Sequence, residues 1–228
     1  MMFAPTSKCL ISKRLDRRGF SLLEMSIVLM TFAGIISGIW VASGMVRDKV
    51  KQSSFSELLY STSRNVQALH AGKMFIDNSR TQSVMPYLAS RNVFPADFTL
   101  NRAGVTVVLS PFGDVPANPI SGGSPHRSFY VCGWDSDIRI CSFAVNRVRS
   151  PMFAVEVLFN SSEVDQCINA VMRNSNPATL PGLVAVKFNN EAAGLVNMPL
   201  SLTAARNGCG AAFGGGVTVV DFVFKITP

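Results

Sequence analysis

Charge is scarce in this chain. Only 15% of its 228 residues are charged and 48% are hydrophobic, against roughly 25% charged in an ordinary soluble domain. The scarcity is concentrated: from Met25 to Val46, 22 consecutive residues carry no charge. Histidine is rarer still, with only His70 and His126, and neither has a cysteine or acid at ligand spacing. The Gly-x-Ser-x-Gly elbow, the His-Glu-x-x-His pair and the phosphate-binding glycine loop are all missing. Gly214–Gly216 follows no strand-to-helix pattern and reads as a loop. Asp135 and Asp137 form a pair that more often makes a turn than binds calcium. These absences argue against an enzyme, a metal centre or a cofactor site. Runs of lysine and arginine interleaved with aromatics are missing too, which argues against specific nucleic-acid binding despite a net charge of +7.

What is present starts at the N-terminus. Residues 1–19 hold Lys8, Lys13, Arg14, Arg17 and Arg18 against Asp16, a net of +4, and the rest of the chain nets only +3. A basic cluster just ahead of an apolar helix keeps the N-terminus in the cytoplasm. At about 1.5 Å per residue the uncharged run makes a helix of roughly 33 Å, enough for a ~30 Å hydrocarbon core. Glu24 stands just before it, inside the apolar sequence "FSLLEMSIVLM". Three readings compete. A cleaved secretory signal would end at Val41-Ala42-Ser43, but its apolar region usually runs only about 7 to 15 residues. A plain membrane anchor leaves Glu24 unexplained, because an ionised carboxylate in a bilayer costs at least a few kcal/mol. A cut between Gly19 and Phe20 explains it. Phe20 would gain a free amine, and the amine of one subunit would meet the Glu24 carboxylate of a neighbour.

The helix is expected to run from Phe20 to about Gly72. Gly34, Gly38 and Ala42 recur every four residues and form a stripe where another helix can approach closely. Beyond Val46 the pattern turns amphipathic. Val46, Val50, Leu58, Leu59, Thr62, Val66 and Leu69 fall on one face, as if a globular head packs there. From Thr81 proline and glycine become frequent and short β-rich runs appear. Candidate strands are Val105–Ser110, Ser128–Cys132, Ile138–Val145, Phe153–Phe159, Leu183–Phe188 and Val217–Ile226. Connections are mostly short, which favours an antiparallel sheet. One head helix is well signalled in "NSSEVDQCINAVMRN". Ser161 or Ser162 is the expected N-cap, and Val164, Cys167, Ile168, Val171 and Met172 form its apolar stripe. The expected class is therefore α+β, a long N-terminal helix packed on an antiparallel β-sheet head. Its parts are a basic leader (1–19), a membrane or filament-core helix (20–46), an amphipathic continuation (47–80) and a globular head (81–228).

Of the five cysteines, Cys132, Cys141, Cys167 and Cys209 lie beyond the apolar helix, on the side where disulfides form. Four cysteines allow three pairings, and four free buried thiols are the remaining possibility. "CGWDSDIRIC" fits two strands joined by a "WDSD" turn and bridged by Cys132–Cys141. That leaves Cys167 with Cys209, tying the helix to "NGCGAAFGGG" before the last strand.

The segment Arg18-Gly19-Phe20, then Ser21-Leu22-Leu23-Glu24, resembles the type III signal sequence of type IV prepilins. The resemblance implies that a prepilin peptidase cuts between Gly19 and Phe20 on the cytoplasmic face and methylates the amine of Phe20. It also implies that Glu24 guides subunits into a helical homo-oligomeric filament at an inner-membrane assembly platform. The precursor would sit in a bacterial inner membrane, with its head in the periplasm, and then move to an extracellular pilus. Type IVa pilins usually carry a helix-kinking proline where this chain reads Trp40-Val41-Ala42. The head is similar to type IVb pilins, those of toxin-coregulated, bundle-forming and conjugative thin pili. "FPADF" followed by "LSPFGDV" looks like a turn found there. The order strand, helix with internal cysteine, late cysteine, final strand looks like their C-terminal disulfide-bounded region. A 19-residue leader and a mature chain of 209 residues also favour that class. A second cysteine pair departs from its usual single bridge. The implied role is structural: a filament subunit for adhesion, aggregation or mating contact. The alternatives are a minor pilin, a type II secretion pseudopilin, or a secreted binding protein or enzyme released by ordinary signal peptidase.

Overall fold

A computed structural model of the protein describes residues 21–71, 84–102, 105–112, 129–135, 138–140, 152–189, 198–211 and 216–226. The expected leader, Gly19, Phe20, His126, Asp137 and Cys141 lie outside these residues. The chain divides into two compact units, one ending at Val46 and one starting at Arg47. Helix α1 is a 48-residue element, Leu22–Leu69.

In the first unit every described residue is exposed. This stretch of α1 is apolar enough and long enough to cross a membrane. Its side chains find no core among the described residues: Leu29, Phe32, Ile36 and Trp40 are all more than half exposed.

The second unit is an α+β body. Its main sheet has five strands: β3 (Phe129–Asp135), β4 (Ile138–Ile140), β5 (Met152–Asn160), β6 (Leu183–Phe188) and β7 (Val217–Lys225). Their order is β4-β3-β5-β7-β6 and every pairing is antiparallel. A separate hairpin joins β1 (Thr99–Arg102) to β2 (Val105–Val108). Helices α2 (Val84–Ser90), α3 (Val164–Asn174) and α4 (Leu202–Gly210), with a single 3-10 turn at Ala96–Phe98, complete the described elements.

The core forms where α1 meets one face of the sheet. Phe55, Leu58, Leu59, Thr62, Ser63 and Val66 are the buried residues of α1, spaced by threes and fours as helix periodicity requires. The Phe55 ring lies 5.1 Å from Phe112, 6.3 Å from Phe159 and 6.0 Å from Phe222. On the same sheet face Phe153 stacks on Phe224 at 5.3 Å.

Several expectations are corrected in detail. Val46 and Val50 are 59% and 58% exposed, so the head-facing stripe starts later, at Phe55, where aromatic partners from the sheet become available. The α3 N-cap is Glu163 without a side-chain cap bond, not Ser161 or Ser162. Asn160 Oδ1 instead accepts from the Ser162 N–H at 3.1 Å, a tight turn that holds both serines ahead of the helix. Trp134 and Asp135 belong to β3 and pair with β4, so the first half of "WDSD" is strand. Cys209 lies inside α4, an element not expected from the sequence. The α3 stripe is otherwise as expected. Cys167 and Val171 are buried, and Val164, Ile168 and Met172 pack at the edge of the core.

Candidate functional site

The N-terminus of α1 is built from Ser21. Its Oγ accepts the Glu24 N–H at 3.2 Å, and its carbonyl accepts the Met25 N–H at 3.1 Å. Ser-x-x-Glu is the spacing of a capping box, in which serine satisfies an orphan amide and the glutamate sits near the positive end of the helix. The Glu24 backbone N–H is thus held by Ser21, and its side chain stands exposed in the first turn, a placement the sequence reading passed over although "SLLE" carries the signal. Gly34 and Gly38 are exposed, and a Cβ built at either would meet nothing within 4 Å. Whatever the Gly34, Gly38, Ala42 stripe packs against is therefore not found among the described residues.

The head carries the Cys167–Cys209 disulfide, with Cα atoms 5.9 Å apart. Both cysteines are buried, and the bridge ties α3 to α4. Cys132, buried in β3 opposite Ala154, is also disulfide-bonded. Cys141, its expected partner, lies outside the described residues. Next to the α3–α4 bridge, Asn189 takes a left-handed conformation at φ 53°, which few residues other than glycine tolerate. Its N–H donates to Val219 O at 2.7 Å, and its Oδ1 accepts the Val219 N–H at 3.1 Å. Its Nδ2 donates to Ala211 O. One buried side chain thus joins the end of β6, the start of β7 and the end of α4.

The remaining sequence-singled residues have ordinary places. His70 sits just past α1, buried, with Nδ1 3.0 Å from Val66 O. Asp135 pairs in register with Ile138 at the end of β3. Between α1 and α3 an open groove of about 560 Å³ is lined by Asp48, Lys49, Gln52, Asp165, Asn169 and Arg173, among others. Gln52 Nε2 donates to Gln166 O at 3.2 Å across it.

No protein-family model and no curated protein matches the chain.

One constellation escaped the sequence reading altogether. Glu156 of β5, Asp221 of β7 and Lys187 of β6 are directly opposite one another in register, and they are 3%, 0% and 2% exposed. Tyr130 of β3 faces Glu156 on the other side. The row crosses four strands on the sheet face that looks away from Phe55. Both faces of β5 and β7 are buried along nearly their whole length. Alternation in "FAVEVLF" and "VTVVDFVF" would send Glu156 and Asp221 to solvent. The usable signal was their same-face neighbours, Ala154 and Leu158 around Glu156 and Val219 and Val223 around Asp221. Acids flanked by apolar residues on both parities mark a strand covered on both sides. Lys187 joins the row because of a bulge. Register shifts between Leu183 and Ala185, leaving Val184 exposed. One extra residue in a strand reverses which face the following side chains take.

Proposed function

We propose that the chain is a type IV pilin-like subunit of the b class. It would be cut between Gly19 and Phe20 and held in a membrane by the first part of α1. From there it would assemble into a surface filament through that same segment. The observation that carries this reading is the combination within α1. Leu22–Val46 is apolar with none of its membrane-length window buried, and its single carboxylate stands in the first turn. The same helix goes on to bury one stripe in an antiparallel-sheet body. An apolar surface of this extent needs either lipid or other helices around it, and a filament of stacked helices supplies the second after the membrane supplies the first. The α3–α4 disulfide is consistent with the class b expectation. The role is structural and requires no cofactor. The ordinary signal-peptidase alternative would need to open Val41-Ala42-Ser43, which lies in the interior of α1.

The test is N-terminal sequencing and intact mass of protein from membrane and sheared-surface fractions. A chain starting at methylated Phe20 and present in the sheared fraction supports a filament subunit. The same terminus confined to the membrane fraction favours a pseudopilin. A chain starting near Gly44, or an uncut chain, refutes the pilin reading.

A further inference from the structure

We propose that Lys187 and Asp221 become joined by an amide bond between their side chains, formed within the folded head with Glu156 as the proton-transfer group. Residues directly opposite on antiparallel strands have Cβ atoms about 4.5–5.5 Å apart. Lys187 and Asp221 stand in that relation, and so do Asp221 and Glu156. Asp221 therefore stands in register between a lysine on one neighbouring strand and a glutamate on the other. All three are buried. On one side the row is bounded by the small cluster of Ala154, Ala185 and Val223. On the other lie Leu158 and Val219, also buried.

This environment favours condensation in three ways. First, the sheet pairs the three residues side by side on neighbouring strands, replacing a bimolecular encounter by an intramolecular one, an advantage that reaches many powers of ten when alignment is good. Second, an ammonium and two carboxylates are costly to keep charged away from water. A proton passed from Lys187 Nζ to Asp221 gives a neutral amine and a neutral acid, the two species that react. Third, water released into an apolar interior leaves it, so hydrolysis is not favoured by a local supply.

The step balances without any co-reactant. The lone pair of Lys187 Nζ attacks Asp221 Cγ and forms the N–C bond. Glu156 accepts a proton from the nitrogen and delivers one to the departing Asp221 oxygen, as a general acid–base group does. The C–O bond breaks, one water leaves, and Glu156 ends in the protonation state in which it began. Asn189 acts as a positioning residue. Two residues beyond Lys187, its paired hydrogen bonds to Val219 fix the register that puts Lys187 opposite Asp221. The product joins edge strand β6 to β7, close to the region the Cys167–Cys209 bridge encloses. Pulling on the head would then load covalent links instead of hydrogen bonds alone. The inference concerns the head only and stands whether or not the N-terminal helix builds a filament.

Intact mass of the full-length, detergent-solubilised protein after complete reduction decides it. The expected result is a chain lighter than its sequence by one water, with a proteolytic fragment in which Lys187 is uncut by trypsin and branched to Asp221. D221N should lose one ammonia instead, because an amide can leave in the same way. K187R and E156Q, checked for native fold by circular dichroism, should show the full mass. A folded wild-type protein of full mass, cut normally after Lys187, would overturn the proposal. So would a water loss that survives in K187R.

Discussion

At the residue scale the head depends on side chains placed where backbone geometry is special. Asn189 combines a left-handed backbone with bonds to β7 and α4. Asn189→Ala removes the bonds made by Oδ1 and Nδ2 and leaves buried Val219 N–H unsatisfied. We expect a loss of about 2–4 kcal/mol, from the unmade bonds and the left-handed backbone, measured by urea unfolding of the head. Asn189→Gly keeps the backbone at ease and should cost less, which separates the two contributions. A smaller version of the same logic operates at Gly182, where φ is +85° and an added Cβ would collide with Gln67 Nε2. That nitrogen donates to Pro181 O at 3.1 Å and Lys225 O at 3.2 Å, pinning α1 to the ends of β6 and β7. Gly182→Ala forces both a strained φ and the loss of this clamp. The expected lowering of stability is about 1–3 kcal/mol, and an unchanged unfolding midpoint would remove the clamp from the account.

At the element scale the order of strands was largely legible, because β-branched runs bounded by glycine and proline are a local signal. β6 matches the expected Leu183–Phe188 in both bounds, and β5 and β7 differ by a residue at one or both ends. What the sequence could not display is anything set by a partner in space. β1, α2 and α4 are short, and their apolar residues show no clear period, so only packing fixes their type. The start of buried α1 at Phe55 depends on Phe112, Phe159 and Phe222, which come from three distant segments. The two-sided burial of β5 and β7 was hidden by an acid in each strand that imitates a solvent-facing position. The same reliance on distant partners yields a prediction for Phe55. It is fully buried against three rings, and Phe55→Ala should destabilise the head by about 3–5 kcal/mol. Val50→Ala, on the same helix but exposed, should shift stability by less than about 0.5 kcal/mol. Comparable effects at the two positions would contradict the point at which α1 enters the core. The Cys167–Cys209 link, 42 residues apart, should contribute about 4 kcal/mol on the loop-entropy scale. Its double serine variant is expected to lower the thermal midpoint of the head, and an unchanged midpoint would show that α3 and α4 are held by packing alone.

At the scale of the whole molecule the question is what Glu24 does, and the capping contact makes the experiment more demanding than a simple deletion. Glu24→Ala removes a charge and also the side chain that a capping box uses in the first turn of α1, while the residue-24 N–H still donates to Ser21 Oγ. Loss of filaments in that variant would fit either cause. Glu24→Gln separates them, because glutamine serves a capping box as glutamate does but carries no charge to meet an amine. Ser21→Ala is the converse, weakening the cap by about 1 kcal/mol while leaving the carboxylate in place. If Glu24 works by pairing with the amine of a neighbouring Phe20, Glu24→Gln protein should be cleaved after Gly19 yet be missing from the sheared-surface fraction. Ser21→Ala protein should be cleaved and recovered there in nearly normal amount. If the cap is what matters, the outcomes reverse: Glu24→Gln assembles and Ser21→Ala does not. In an apolar segment with no other acid from Met25 to Val46, the first pattern is expected, since a carboxylate kept in an apolar setting only to cap a helix would be replaceable by glutamine at lower cost.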